Sequence, residues 1–147
     1  MNREVAVFKG KKYKAIKGAN EIFLTKNQSA EGFHVSPYDK ELFKMKVQKD
    51  DVTELYREYF MARYKDYELF VVGHFKDSKE IEIVTVDPNV GRECNLDYQD
   101  RDFFTKRLGP NDDYQLIYVK EDYLRKTTTR KEVTLEESYV IDNEKFE

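Results

Sequence analysis

The residues best suited to metal or nucleophilic chemistry are few and widely separated in this chain of 147 residues. His34, His74 and Cys94 are ligand types that zinc prefers, but no short Cys-x-x-Cys or His-x-x-x-His spacing joins them. The sequence therefore predicts no metal site and no cofactor, and it favours two loop histidines that are solvated or hydrogen-bonded. Cys94 has Arg92 nearby but no adjacent base, which favours a buried or incidental thiol over a nucleophile.

Carboxylates alternate with tyrosines in the second half of the chain. The set is Asp97, Tyr98, Asp100, Asp102, Asp112, Asp113 and Tyr114. General acid–base catalysis would need two of the carboxylates in a cleft with separated pKa values, and nothing in the sequence shows a cleft. One interpretation is a solvated face in which Asp112 or Asp113 caps a helical turn. The other is a partner-binding face, where charges steer a basic protein and aromatic side chains anchor it.

Charge is unevenly distributed along a chain whose formal net charge is −3. Residues 1–20 carry six basic side chains against one acidic, a net charge of +5, whereas residues 77–122 carry twelve acidic against six basic, a net charge of −6. Lysines between Lys9 and Lys17 could contact phosphate, with Tyr13 stacked on a base. Lysines at a hairpin also commonly prevent edge-to-edge association, and the acidic balance of the whole chain favours that interpretation over nucleic-acid binding.

The elements that would position these side chains repeat along the chain. Segments Phe8-Lys9-Gly10-Lys11 and Tyr64-Lys65-Asp66-Tyr67 each predict a β-hairpin tip. Ile22 and Leu24, like Ile81 and Ile83, alternate with the two-residue period of a half-buried strand. Four such blocks occur in the same order over residues 5–56 and 61–118, which predicts an internal duplication whose length differences fall in loops.

These patterns predict an α+β fold that is mostly β. Two tandem copies of a hairpin, two strands and a short helix would pack as antiparallel sheet in one globular domain spanning residues 1–147. We expect the helical turn of the first copy at residues 51–56 and a strand from about 59 to 65. Residues 119–141 would form a partial third copy that completes the sheet, with one strand entering at 122–125 and another leaving at 132–135.

Composition supports a packed and water-soluble protein. Eleven tyrosines and ten phenylalanines supply a large apolar surface for a core. No apolar run has the length needed to cross a bilayer, and the segment Met1-Asn2-Arg3-Glu4 lacks the apolar stretch of a secretory signal. The single Cys94 fits a reducing compartment, so we expect a cytoplasmic location.

Several short motifs resemble a known group of proteins. They are Phe8-Lys9-Gly10-Lys11-Lys12-Tyr13, Tyr64-Lys65-Asp66-Tyr67, the pair Gly32-Phe33, and Lys-Asp-Asp-Val-Thr-Glu-Leu-Tyr at 49–56. Over about residues 5–118 the chain resembles the small cytoplasmic immunity proteins that low-GC Gram-positive bacteria encode beside polymorphic toxins of the LXG type. The chain departs from that pattern in the second copy, where Cys94-Asn95-Leu96 stands in place of the Gly-Phe pair.

The resemblance implies a non-enzymatic function, in which the protein binds a cognate toxin domain and blocks its active site or substrate groove. A nuclease toxin would present a basic groove that attracts the acidic segment 77–122. Two alternatives stay open at this point. One is a small nucleic-acid-binding or regulatory protein that uses the Lys9–Lys17 hairpin, and the other is an enzyme built from scattered carboxylates with His34 or His74.

Overall fold

The computed structural model describes residues 1–100 and 102–147, which form mostly β-structure with two short helices. The strands are β1 Asn2–Phe8, β2 Lys11–Lys17, β3 Ile22–Lys26, β4 His34–Val35, β5 Phe43–Val47, β6 Val52–Tyr64, β7 Tyr67–Phe75, β8 Glu80–Thr85, β9 Asp97–Gln99, β10 Phe103–Leu108, β11 Gln115–Asp122 and β12 Thr127–Val133. The helices are α1 Pro88–Glu93 and α2 Leu135–Asp142. The predicted mostly-β α+β fold with antiparallel sheet is confirmed.

Both predicted hairpin tips are present. Lys9 and Gly10, between β1 and β2, have φ values of 51° and 77°. Lys65 and Asp66, between β6 and β7, have φ values of 48° and 67°. Two consecutive residues with positive φ are the mark of a type I′ turn, whose twist matches that of the strands it joins.

The chain divides into two compact units. The first unit comprises Arg3–Glu58, Lys120–Thr128 and Lys145–Glu147, and the second comprises Met1–Asn2, Tyr59–Val119 and Thr129–Glu144. In the first unit the strand order is β4-β5-β3-β2-β1, and in the second it is β9-β10-β8-β7-β6. The order of the corresponding strands is therefore the same in both series. The origin of the two series by duplication, and the assignment of the whole chain to one domain, stay predictions.

Each unit has its own apolar core. The core of the first contains Ala6, Tyr13, Ile22, Leu24, Val47, Val52 and Leu55. The core of the second contains Phe60, Ala62, Tyr64, Leu69, Val71, Ile81, Ile83, Cys94, Leu96, Leu108, Leu116 and Val133. The alternating isoleucine and leucine pairs singled out from the sequence are buried as expected. Each such side chain contributes about 1.5–3 kcal/mol through removal from water.

The predicted helical turn at residues 51–56 is wrong. One 3-10 turn, Lys49–Asp51, comes earlier, and β6 already begins at Val52. Both faces of this strand are partly covered, so the neighbours Leu55 and Tyr56 are both buried. Burial on both faces produces apolar spacings of three and four residues that imitate an amphipathic helix. The strand predicted from about residue 59 to 65 corresponds to the second half of β6.

The predicted boundaries of the C-terminal strands are also wrong. Only Asp122 of the predicted entering strand at 122–125 lies in a strand, because it ends β11 and its carboxylate accepts hydrogen bonds from the backbone N–H groups of Leu124 and Arg125 in the following turn, each at 3.0 Å. The leaving strand ends at Val133, and Thr134 is already the N-cap of α2. Asp in a turn and Thr at an N-cap each offer a side-chain oxygen to backbone donors, which ends the strands.

Neither α1 nor α2 was expected from the periodicity. Asp87 caps α1 by accepting from the backbone N–H of Asn89 at 2.9 Å, and Pro88 occupies its first turn. A reciprocal pair of side-chain bonds between Thr134 and Glu137 begins α2. Among the residues described, no helix has the length and apolar character required to span a bilayer.

Candidate functional site

Asp97 and Tyr98, the first two residues predicted to bind a partner, lie on β9, which pairs with β10 and begins the strand order of the second unit. Register places Asp97 opposite Thr105 and Tyr98 opposite Phe104 on β10. Because successive side chains in a strand point to opposite faces, the two predicted residues lie on different faces of the sheet. The Tyr98 ring packs edge-on against Phe104, with ring centroids 5.5 Å apart.

Asp102 and Tyr98 form a local pair. The Tyr98 hydroxyl donates a hydrogen bond to Asp102 Oδ1 at 3.1 Å, and this bond is the main cause of a raised pKa for Tyr98. Asp102 has a φ of 58°, in the left-handed region that Asp tolerates better than most residues. Asp100 is also exposed. The carboxylates around β9 therefore form a solvated rim.

Asp112, Asp113 and Tyr114 lie elsewhere. They follow β10, whereas the β9 rim precedes it, and six residues of strand extend about 17–20 Å. Asp112 accepts from the backbone N–H of Gly109 at 2.8 Å and so closes a turn. The expectation that Asp112 or Asp113 caps a helical turn is wrong, because strand β11 follows at Gln115. Tyr114 packs against the core of the second unit, where burial raises its pKa. Asp113 is exposed. The structure thus separates the seven predicted residues into two groups.

The interpretation of both histidines as loop residues is wrong, because each lies in a strand. His34 is exposed on β4 of the first unit. His74 lies on β7 of the second unit, with its ring against Phe60 at 5.1 Å and Tyr139 at 5.9 Å. Both ring nitrogens of His74 and the Tyr139 hydroxyl are buried and have no hydrogen-bond partner among the residues described. Burial lowers the pKa of His74 and favours its neutral form.

Cys94 and the carboxylates are the other groups with reactive potential. Cys94 is buried beyond α1, and burial raises the pKa of its thiol, which keeps it protonated at neutral pH. In the part of the chain that the structure describes, no three His, Cys, Asp or Glu side chains come together in an arrangement suited to a metal ion.

The basic N-terminal hairpin presents lysines but not its tyrosine. Lys11, Lys14 and Lys17 are exposed on β2. Tyr13 is buried and stacks on Phe33, with ring centroids 5.9 Å apart. The expectation that Tyr13 could stack on a nucleic-acid base is therefore wrong, since its face is occupied within the core of the first unit.

Sequence reasoning missed an exposed apolar group on the second unit. Phe70 and Val72 on β7 are 45% and 51% exposed, and Val86 after β8 is 76% exposed. The signal was the continuous run Leu69-Phe70-Val71-Val72. In a strand with one buried face, alternate residues of such a run must face solvent.

Comparison with known proteins identifies a family. Residues 2–126 match the family described as "Uncharacterised conserved protein UCP033725". The chain belongs to that family. No curated protein and no solved structure matches it. The matched range includes the basic hairpin, the exposed apolar residues and the acidic rim, and it ends in the turn between β11 and β12.

Proposed function

We propose that this protein is a non-enzymatic immunity protein that binds and neutralises a cognate toxin domain. The supporting observation is the combination, within the second unit, of exposed apolar side chains and exposed carboxylates around β9. Contiguous exposed apolar groups with a polar rim are typical of protein–protein interfaces. Carboxylates on the same unit increase the rate of encounter with a basic partner.

The mode of action follows from that chemistry. A toxin domain that acts on nucleic acid presents a basic groove, and the acidic segment 77–122 would occupy the groove in place of phosphate. The protein would block access to the groove and leave the toxin otherwise intact. Its compartment would be the cytoplasm, where a free and buried Cys94 stays reduced.

The first experiment is recovery of the tagged protein from its native host at low and high salt, with mass spectrometry of what stays bound. The expected result is one stoichiometric, toxin-like protein whose recovery is lower at high salt, because exposed charges are screened. Co-expression should then restore the growth of cells that express the recovered toxin domain. Recovery of no protein partner, or a failure of co-expression to protect the cells, would contradict the proposal.

A charge-matched pair of variants tests which surface binds. The triple change Asp97→Asn, Asp100→Asn and Asp102→Asn removes three exposed carboxylates from the second unit and should weaken binding about tenfold or more. The control changes Glu31→Gln, Glu41→Gln and Asp50→Asn remove three exposed carboxylates from the first unit. Equal affinities of the two triple variants would mean that the acidic rim is not the interface.

The alternative function, nucleic-acid binding or regulation through the basic hairpin, has one favouring observation. Register aligns Lys14, Thr25 and Lys44 across three strands of the first unit. The Lys44 ammonium lies 5.5 Å from the ring centroid of Phe23, so cations and an aromatic ring share this region. Binding of RNA or DNA that falls steeply with salt and is lost in Lys14→Glu would favour this alternative over the immunity function.

A further inference from the structure

One face of the second unit's sheet gathers side chains that the sequence leaves apart. Register aligns Met61, Phe70, Val84, Thr105 and Asp97 in a row across five adjacent strands. Paired residues in neighbouring strands project to the same side of a sheet. This side, here called the outer face, is opposite to the one on which Ile83 and Leu108 enter the core.

The centre of the outer face is apolar and partly open to solvent. Phe70 is 45% exposed and its ring lies 5.6 Å from that of Tyr59, while Val72 follows in the bulge of β7. A depression of about 290 Å³ is lined by Glu68, Leu69, Phe70, Val84, Thr85 and Val86. An apolar cavity of about 150 Å³ is enough to hold benzene. The depression therefore has room for one large apolar side chain.

Two sides of the outer face are electrically balanced. Glu68 contacts both Arg63 and Arg130, and Glu80 lies 3.8 Å from Arg107. These ion pairs are partly exposed and contribute little to stability. They do, however, leave no large excess of either charge along these sides.

The end of the depression at Val86 is different. Of the carboxylates in the neighbouring segments, Asp97 lies on the outer face, whereas Asp87 caps α1 and Asp102 accepts from Tyr98, whose ring is on the opposite face. Val86 follows Thr85, which pairs with Phe104 near the start of β10, and β10 pairs in turn with β9. Among the residues described, Asp97 forms no ion pair with a lysine or arginine. A ligand at this end would meet an apolar depression with the Asp97 carboxylate on the same face.

We infer that the outer face is the docking surface for the partner, and that the partner inserts one large apolar side chain, flanked by lysine or arginine, beside Val86. This inference rests on the proposed function and specifies the chemistry of the partner. Apolar anchors in a pocket supply most of the affinity of an interface, while charges outside the pocket set the orientation and the rate of encounter.

The charge distribution distinguishes such a partner from a second copy of this chain. In a dimer whose two-fold axis passes through the Val86 end of the outer face, the Asp97 carboxylates of the two copies would approach each other. Like charges across an interface oppose association. A basic partner meets no such repulsion.

Site-specific photo-crosslinking in the native host tests the location. Val86 is replaced by p-benzoylphenylalanine in one variant, and Tyr38 of the first unit, 95% exposed, is replaced in the control. The expected result is a covalent adduct with the partner recovered by the wild-type protein, formed at position 86 and not at 38. An adduct at 38 alone, or an adduct between two copies of this chain at 86, would overturn the assigned surface while the recovered partner still supports the proposed function. No partner in the wild-type experiment would refute both.

A pair of charge variants tests the chemistry of the partner. Val86→Lys should raise the Kd for the recovered partner about tenfold at low salt, and Val86→Asp should raise it less than about threefold. The difference between the two variants should shrink at high salt, because added salt screens the charges. Equal effects of Lys and Asp would refute a cationic partner group at this end. Because Val86 is largely exposed, both variants should keep the wild-type Tm, which separates a binding defect from a folding defect.

Discussion

Replacement of Gly91 by alanine tests the packing of α1 on the sheet. A Cβ atom at Gly91 would lie 2.6 Å from Cγ and 2.8 Å from Cδ1 of Phe104. Both distances are far below ordinary van der Waals contact. The clash falls on the base of the ring, which cannot move away without a shift of β10, and Tyr98 packs against the same ring. Only glycine allows this approach of the helix to the strand.

The expected magnitude is the difference between two opposing effects. Alanine is better than glycine in a helix by about 0.8–1 kcal/mol. Overpacking of a buried contact costs about 1–3 kcal/mol, and a clash so close to the backbone belongs in the upper part of that range. Gly91→Ala should therefore lower the free energy of unfolding by about 1–2 kcal/mol. At about 2–4 °C per kcal/mol for a chain of this size, Tm should fall by about 2–8 °C.

Urea denaturation measures this difference, and a double-mutant cycle assigns its cause. In a Phe104→Ala background the clashing ring is absent, so Gly91→Ala should become neutral or stabilising. Gly109→Ala is the control, because its nearest contact is Glu80 Cγ at 3.7 Å and the change should stay within about 0.5 kcal/mol. Equal destabilisation by Gly91→Ala in both backgrounds would refute the packing explanation.

Three further changes probe the rest of the second unit. Because burial lowers the pKa of His74 below its ordinary 6.5, the unfolded chain binds the proton more readily, so stability should be full above pH 6.5 and fall as the pH drops below it. His74→Phe should reduce that slope in urea titrations at pH 8 and pH 5, and an unchanged slope would assign it to other groups. Ile83→Asp should abolish cooperative unfolding, because an unpaired charge would replace a fully buried side chain, and a native-like Tm would contradict the burial of β8. Asp87→Ala should cost about 1 kcal/mol through loss of the N-cap of α1, whereas Asp87→Asn should retain most of the stability, and equal losses would exclude the cap as the cause.

Local rules made part of this fold predictable from the sequence. The two hairpin tips followed from turn residues at Lys9-Gly10 and Lys65-Asp66, because a type I′ turn depends only on the conformations of its own residues. The alternation of Ile22 with Leu24, and of Ile81 with Ile83, located two strands because a half-covered strand has a two-residue period. The acidic character of residues 97–113 was likewise evident from composition alone.

The tertiary structure decided what depends on distant neighbours. Coverage of both faces turned residues 52–56 into strand despite their helical spacing, since burial is set by the elements packed on either side. Residues 97–99 form a strand, so Asp97 and Tyr98 point to opposite faces of the sheet. The acidic and aromatic side chains of this stretch therefore contribute to two surfaces, although the sequence suggests one. Pairing of β9 with β10 brought Asp97 into a row with Val84 and Phe70, which lie 13 and 27 positions earlier in the chain. A sequence states which side chains are available, but hydrogen-bond register between strands determines which of them meet.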